Sequence, residues 1–347
     1  MDYNDIAFSD RIIDLPSGFS LIWPFRNVSK SNGPYELFLD NNALITDNWF
    51  DELAIPIKTK SILSPFHALS EQWLSNPLFK ENSVERIEEF IVPFINKGVL
   101  FENNYAKKWT ELLKSNDQES RTQWMMSYLY VVLLYRIVSS KKGDTKPNKL
   151  LLSLKEHDIP RFNGCIMLCT LAQYLKENKN IKLMGDKKPA FSYISSFVDL
   201  HTKNKSESTV DESYLRNRAG DLSMWLYLPL LIQQNYQQAG ELVVVTQDKA
   251  LKKLIFRCIP SVRTEDGRMA FSFDENSFES MHSEKILQRI QANICTPNPP
   301  KNRDEKLKKL ERLKNYVVEE AEAELVTEVN NVWDEWIVPG FFGEFTS

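Results

Sequence analysis

Glu241-Leu242-Val243-Val244-Val245-Thr246-Gln247-Asp248 contains the clearest β-strand in the sequence. Its β-branched residues form a short apolar run that turn residues bound on both sides, which predicts a buried strand. A second run of this type, Tyr35 to Leu39, ends directly at Asp40. A helical pattern follows each run, and repeated strand–helix units favour a parallel sheet with helices on both faces. We therefore expect an α/β fold in which the strands containing Phe38 and Val244 are neighbours or near neighbours.

The predicted sheet domain is discontinuous in sequence. Residues 34–80 and 205–270 carry the strand–helix units, whereas residues 81–204 show helical spacing without strand alternation. The sequence therefore predicts one sheet domain interrupted by an all-helical insertion. Residues 1–33, with two prolines and two glycines, are interpreted as an irregular lead-in, and residues 271–347 as a C-terminal helical extension.

Two helices are predicted in the C-terminal half of the sequence. Residues 221–234 are predicted to form a buried helix that Asp221 opens and Pro229 interrupts. Residues 304–333 are predicted to form one long helix with a solvated, alternating charge pattern. The apolar ending after this helix must pack on the body of the protein or on a partner, including a second copy. That ending contains Trp333, Trp336, Ile337, Val338, Phe341, Phe342 and Phe345.

Composition narrows the class of protein. The chain has 347 residues, 42% of them hydrophobic, and a net charge of −4 at pH 7, so no overall positive field attracts nucleic acid. No apolar run reaches the roughly 20 residues that a membrane span requires. The N-terminus lacks the order of a signal peptide. We therefore expect a soluble, cytoplasmic protein. Cys165 and Cys169 are interpreted as core residues, since no paired Cys or His spacing completes a zinc site.

Four acids carry the functional hypothesis. Asp40 and Asp248 follow predicted strands, Asp221 opens the helix before the second strand, and Glu71 lies in the helix after residues 61–64. Sites in parallel α/β sheets form at the carboxyl ends of strands, so the four carboxylates are expected to converge. Close carboxylates repel one another, and a divalent cation removes that cost. Oxygen ligands alone suit Mg²⁺ or Mn²⁺.

Each acid also has an ordinary structural interpretation. Asp40, Asp221 and Asp248 could each be a helix N-cap, which is the more common role of aspartate at such positions. Glu71 could simply face solvent. The functional interpretation gains its weight from the four acids together, in this order and in these contexts.

Four segments of the sequence resemble the PIN-like domain nuclease family. Residues 37–44 (LFLDNNAL) look like the opening strand and first acid of that family, and residues 64–71 (SPFHALSE) like its second strand and acid-bearing helix. Residues 218–222 (RAGDL) and 243–251 (VVVTQDKAL) are similar to its closing half. The resemblance implies a PIN-like three-layer fold and a metal-dependent endoribonuclease that hydrolyses RNA with Mg²⁺ or Mn²⁺. Asp40, Glu71, Asp221 and Asp248 would be its metal ligands, and Thr246 would orient the site.

Basic residues near the proposed site would hold RNA phosphates. Arg216, Arg218 and Lys249 are the candidates, whereas Lys252 and Lys253 fit phosphate binding and ordinary surface charge equally well. The sequence contains no glycine-rich phosphate loop and no nucleophile-elbow motif, so nucleotide-cradling and serine-hydrolase mechanisms have no support.

Two other functions stay open at this stage. A haloacid-dehalogenase-like phosphatase also places an aspartate after its first strand, but its second acid would fall at position 42, where the chain has Asn42. A non-catalytic interaction protein on a degenerate PIN-like fold would use the helical insertion and the apolar ending as binding surfaces.

Overall fold

The protein is described by a computed structural model. The residues it describes are 8–25, 28, 31–141, 151, 159, 163–183, 185–200, 214–233, 239–263, 269–273, 278, 282–293, 301–319 and 321–339. The chain divides into two units, one made of residues 1–121 and 234–252, the other of residues 122–233 and 253–347.

The strands and helices are numbered along the chain within the described ranges. The strands are β1 (Ile12–Asp14), β2 (Ser20–Ile22), β3 (Tyr35–Leu39), β4 (Ser61–Ser64), β5 (Glu241–Thr246), β6 (Cys258–Arg263) and β7 (Met269–Phe273). The helices are α1 (Asn41–Ile45), α2 (Asn48–Asp51), α3 (Ile55–Lys58), α4 (Phe66–Ser75), α5 (Pro77–Glu81), α6 (Ser83–Asn96), α7 (Tyr105–Ser115), α8 (Asp117–Ser139), α9 (Asn163–Glu177), α10 (Ala190–Phe197), α11 (Tyr214–Gln233), α12 (Lys249–Lys253), α13 (His282–Asn293), α14 (Arg303–Val318) and α15 (Ala323–Trp336).

The first unit contains a five-stranded sheet with the order β1-β2-β5-β3-β4. β3 lies between β4 and β5 and is parallel to both, and Phe38 is in register with Val244. The expectation that these two strands are neighbours is therefore confirmed. Their side chains are buried along nearly the whole length of both strands, as expected for central parallel strands.

The sheet is mixed, so the prediction of an entirely parallel sheet is wrong for two of its strands. β1 and β2 form a hairpin, and β2 pairs antiparallel with β5. Both strands come from the segment interpreted as an irregular lead-in. They are only three residues long, too short to show a period, and the pairing of the two strands with each other and of β2 with β5, rather than local sequence preference, defines them. The coarse α/β class is correct.

The second unit is mainly helical and includes a separate antiparallel pair of strands, β6 and β7, which the sequence did not predict. Cys165 and Cys169 are buried on α9, as expected of core residues. Burial raises the pKa of both thiols. None of the helices within the described ranges is long and apolar enough to cross a membrane.

Two helix predictions in this unit are wrong. α11 begins at Tyr214 rather than at Asp221, and it continues past Pro229. Asp221 is therefore a residue of the helix interior and not its N-cap. The long C-terminal helix is divided into α14 and α15, because the backbone leaves helical geometry at Glu319 and Glu322. The charge pattern gave no indication of that break.

Candidate functional site

Asp40 is a buried carboxylate at the carboxyl end of β3. Its side chain is 4% exposed, and it caps α1 by accepting a hydrogen bond from the Ala43 N–H at Oδ1 over 2.6 Å. Oδ2 accepts from the Gln247 N–H at 3.3 Å, and the Asp40 N–H donates to the Val245 carbonyl at 3.1 Å. Asp40 is thus joined to the end of β5 by main-chain and side-chain bonds.

Thr246 and Asp248 complete the polar end of β5. The Thr246 side chain is fully buried and forms a hydrogen bond with the Asp40 carboxylate. Its oxygen also accepts from the Asp248 N–H at 3.0 Å. Asp248 in turn caps α12, because its Oδ1 accepts from the N–H groups of Ala250 and Leu251 at 2.8 Å each. The threonine hydroxyl therefore links the two aspartates.

The environment of Asp40 disfavours the ionised form of its carboxyl group. Burial raises the pKa of its carboxyl to about 6, and the nearby charge of Asp248 acts in the same direction. Hydrogen bonds from Thr246 and from the main chain of Ala43 and Gln247 lower the pKa, but they offset only part of the burial effect. At neutral pH the site therefore holds a poorly solvated negative charge, which a cation would stabilise.

Two residues that the sequence analysis missed lie along the same edge of the sheet. Asp14 is in register with Ser20 on β2, and Ser20 is in register with Thr246 on β5. The Ser20 hydroxyl donates to Asp14 Oδ1 at 2.7 Å, and Asp14 also forms an ion pair with Lys252. A polar row thus crosses four strands, from Asp14 through Ser20 and Thr246 to Asp40. Three-residue strands carry no pattern by which the sequence alone could have placed Asp14 there.

Glu71 lies in the same unit, on α4, and its side chain is half-buried. The neighbouring Gln72 reaches the start of α1, where its amide donates to Asn41 Oδ1 at 2.7 Å. This bond places α4 next to the segment that follows Asp40.

Asp221, Arg216 and Arg218 belong to the second unit and form ion pairs there. Asp221 Oδ2 lies 2.7 Å from Arg218 Nη1, so the two residues neutralise each other on α11. Arg218 also stacks on the rings of Tyr214 and Phe197. The structure brings Asp40, Thr246 and Asp248 together and gives Asp221 a different immediate partner.

Arg216 is bound to two glutamates of α15. Its Nε lies 2.5 Å from Glu328 Oε1, and its Nη1 lies 2.7 Å from Glu335 Oε2. These contacts raise the pKa of the guanidinium, although burial opposes them. A cation already paired twice is poorly suited to bind phosphate. The expected roles of Arg216 and Arg218 in RNA binding therefore lose support, while Lys249 is exposed on α12.

The residue types at the end of β3 and β5 fit a hard cation. Within the described ranges, no three His, Cys, Asp or Glu side chains are grouped closely enough to hold a metal ion. Mg²⁺ nevertheless keeps several waters and is commonly bound through one or two carboxylates together with substrate phosphates. The carboxylates of Asp40 and Asp248, with the Thr246 hydroxyl between them, meet that smaller requirement.

Comparison with known proteins adds no family. No protein-family model, no curated protein and no solved structure matches the chain. The function is therefore inferred from the geometry of these residues and from the motifs of the sequence.

Proposed function

We propose that this protein is a metal-dependent endoribonuclease of PIN-like type and that Asp40 and Asp248 hold its cation. One observation carries the proposal. Two aspartates follow adjacent parallel strands at their carboxyl ends, and the buried hydroxyl of Thr246 joins them. That edge of an α/β sheet is where ligands bind.

The chain's own residues supply positioning and charge. Asp40 keeps a fixed orientation because main-chain N–H groups hold both of its oxygens. Asp248 is fixed by its bonds to the first turn of α12. When bound, Mg²⁺ or Mn²⁺ activates water and offsets the charge that develops on phosphate oxygens. The buried carboxylate of Asp40 favours such a cation, because cation binding compensates the charge that burial penalises.

Glu71 and Asp221 enter the proposal from the sequence alone, as further ligands that the PIN-like motifs imply. Lys249, which is exposed one residue after Asp248, remains the candidate to contact an RNA phosphate. Substitution of each of these residues measures its separate contribution.

The test is cleavage of several RNAs, with single-stranded and loop substrates included, in Mg²⁺ or Mn²⁺. We expect EDTA to abolish cleavage. Asp40→Asn and Asp248→Asn should each lower the rate by about 10²–10³-fold, the usual loss when one electrostatic element of an active site is removed. Asp10→Asn is the matched control, since Asp10 is exposed in the same unit and should have no effect. Metal-dependent cleavage that survives both site substitutions would place the active site elsewhere.

A non-catalytic interaction protein is the second candidate, and one observation favours it. Asp40 and Asp248 both cap helices, which is a sufficient structural reason for aspartate at these positions. Calorimetric titration with Mn²⁺ separates the two functions. The nuclease should bind Mn²⁺, and Asp40→Asn should weaken that binding, whereas a protein that uses these aspartates only as caps should bind none.

A further inference from the structure

Lys252 lies one helical turn after Asp248, and its N–H donates to the Asp248 carbonyl at 3.1 Å. Its ammonium group forms an ion pair with Asp14. Asp14 belongs to the polar row that continues through Ser20 and Thr246 to Asp40. The Lys252 side chain is thereby tied to the same sheet edge as the two aspartates.

The ion pair between Asp14 and Lys252 is accessible to a competing anion. The side chain of Asp14 is 63% exposed and that of Lys252 is 20% exposed, so water reaches the contact. An ion pair with an exposed carboxylate gains only modest Coulomb energy, because water screens the interaction. A phosphate that arrives at this edge therefore faces a weak competitor for the ammonium group.

We propose that Lys252 binds a backbone phosphate of the nucleic acid and that Asp14 occupies Lys252 until the phosphate displaces it. This inference rests on the proposed nuclease function, and it names the group that makes the phosphate contact. The carboxylate of Asp14 acts as an internal substitute for the phosphate and weakens RNA binding by competing with it.

Two of the other predicted phosphate contacts, Arg216 and Arg218, are less suitable than Lys252. Arg216 is paired with two glutamates, and Arg218 is paired with Asp221 and stacked on two rings. Lys252, by contrast, has one exposed acidic partner and follows Asp248 by a single turn. A lysine contributes to binding as a point charge and needs no exact geometry to contact phosphate.

The test measures binding of a fluorescent single-stranded RNA in EDTA, where no cleavage is expected, at several salt concentrations. Lys252→Ala should weaken binding several-fold and reduce the salt slope by about 0.7, the contribution of one phosphate contact to a single strand. Asp14→Asn should tighten binding several-fold, because the amide still accepts from the Ser20 hydroxyl but no longer holds Lys252. The double variant should lose that gain.

Glu102→Gln is the matched control. Glu102 and Lys108 form an exposed ion pair elsewhere in the same unit, so this substitution makes the same charge change and releases a lysine away from the polar row. If Glu102→Gln tightens RNA binding as much as Asp14→Asn does, the change in net charge alone explains the effect, and the inference is overturned.

The outcomes also separate this inference from the nuclease proposal. If the wild-type protein cleaves RNA but Lys252→Ala and Lys252→Gln both bind it as tightly as wild type, the inference fails and the nuclease stands. If the wild-type protein neither cleaves nor binds RNA, both fail. Tighter RNA binding that is confined to Asp14→Asn supports the competition between Asp14 and phosphate for Lys252. A destabilised fold would not tighten binding.

Discussion

Asp40 stabilises the fold by capping a helix, but burial of its charged carboxylate costs free energy. Its Oδ1 caps α1, a bond that contributes about 1 kcal/mol. Its burial, however, raises the pKa of the carboxyl from 3.8 to about 6. That difference corresponds to about 3 kcal/mol between the charged and neutral forms. A cap alone could be exposed, so the burial of this carboxylate needs another reason, and the proposed cation binding would supply one.

The shift in the pKa of Asp40 predicts a pH dependence of stability. The unfolded chain releases this proton near pH 3.8, whereas the folded protein holds it until about pH 6. The proton therefore stabilises the fold fully below pH 3.8, and this contribution is lost as pH rises through 6. Without metal, the free energy of unfolding of wild type relative to Asp40→Asn should fall by about 2 kcal/mol between pH 4 and pH 7.

Urea unfolding at several pH values in EDTA checks this. The exposed control Asp10→Asn measures the background effect of removing a carboxylate elsewhere in the same unit. If the free energies of unfolding of wild type and Asp40→Asn differ by the same amount at every pH, the Asp40 carboxyl titrates normally in the folded protein.

At the scale of elements, predictability follows strand length and burial. β3 and β5 were recognised from sequence because each is a run of five or six mostly apolar residues that an aspartate follows within two positions. β1 and β2 were not, because three residues cannot show a period and their strand geometry comes from the pairing of the two strands with each other and of β2 with β5. The same limit hid Asp14, which the pairing of β1, β2 and β5 brings next to the candidate site. The Asp40–Thr246–Asp248 part of the candidate site was predictable because it depends on two adjacent strands.

Close approach of β3 and β5 at their starts depends on Gly240. A Cβ built at this position would lie 2.5 Å from the Pro34 carbonyl oxygen, which accepts a hydrogen bond from Glu241 N–H at 2.8 Å. The obstacle is main chain and cannot rotate away. Gly240→Ala should therefore lower the free energy of unfolding by about 1–3 kcal/mol, the usual cost of overpacking.

Urea unfolding of Gly240→Ala checks this cost, with Ala239→Ser as the control at the exposed neighbouring position. The control should stay within about 0.5 kcal/mol of wild type. Equal stability of Gly240→Ala and wild type would show that the two strands can separate without cost at this point.

At the scale of the whole molecule, the contacts that the sequence could not predict join residues far apart in the chain. Arg216 is paired with glutamates 112 and 119 residues away, and no local pattern indicates such partners. The prediction for the apolar C-terminal ending was that it packs on the body of the protein or on a partner. Trp333, Trp336 and Ile337 are buried within the second unit. Residues 340–347, with Phe341, Phe342 and Phe345, lie outside the described residues.

Substitution of Trp336 measures how much this packing contributes to stability. Its side chain is 1% exposed, and its ring meets those of Trp124 and Tyr128 edge-on, with centroids 6.2 and 6.0 Å away. Among the described residues, its Nε1 has no hydrogen-bond partner. The contribution of this side chain is therefore mainly apolar. Trp336→Ala should lower the free energy of unfolding by about 3–5 kcal/mol, because it leaves a cavity between α8 and α15.

Trp336→Phe is the matched variant. It keeps an aromatic ring against Trp124 and Tyr128 and removes an N–H that has no partner among the described residues, so its loss should be only about 1 kcal/mol. Urea unfolding followed by circular dichroism measures both variants, and hydrogen exchange should show faster exchange of α8 and α15 amides in Trp336→Ala. If the Phe and Ala variants lose equal stability, ring packing does not explain the burial of Trp336. If neither variant loses stability, the C-terminal helix is not part of the core, and its aromatic face becomes available to a partner.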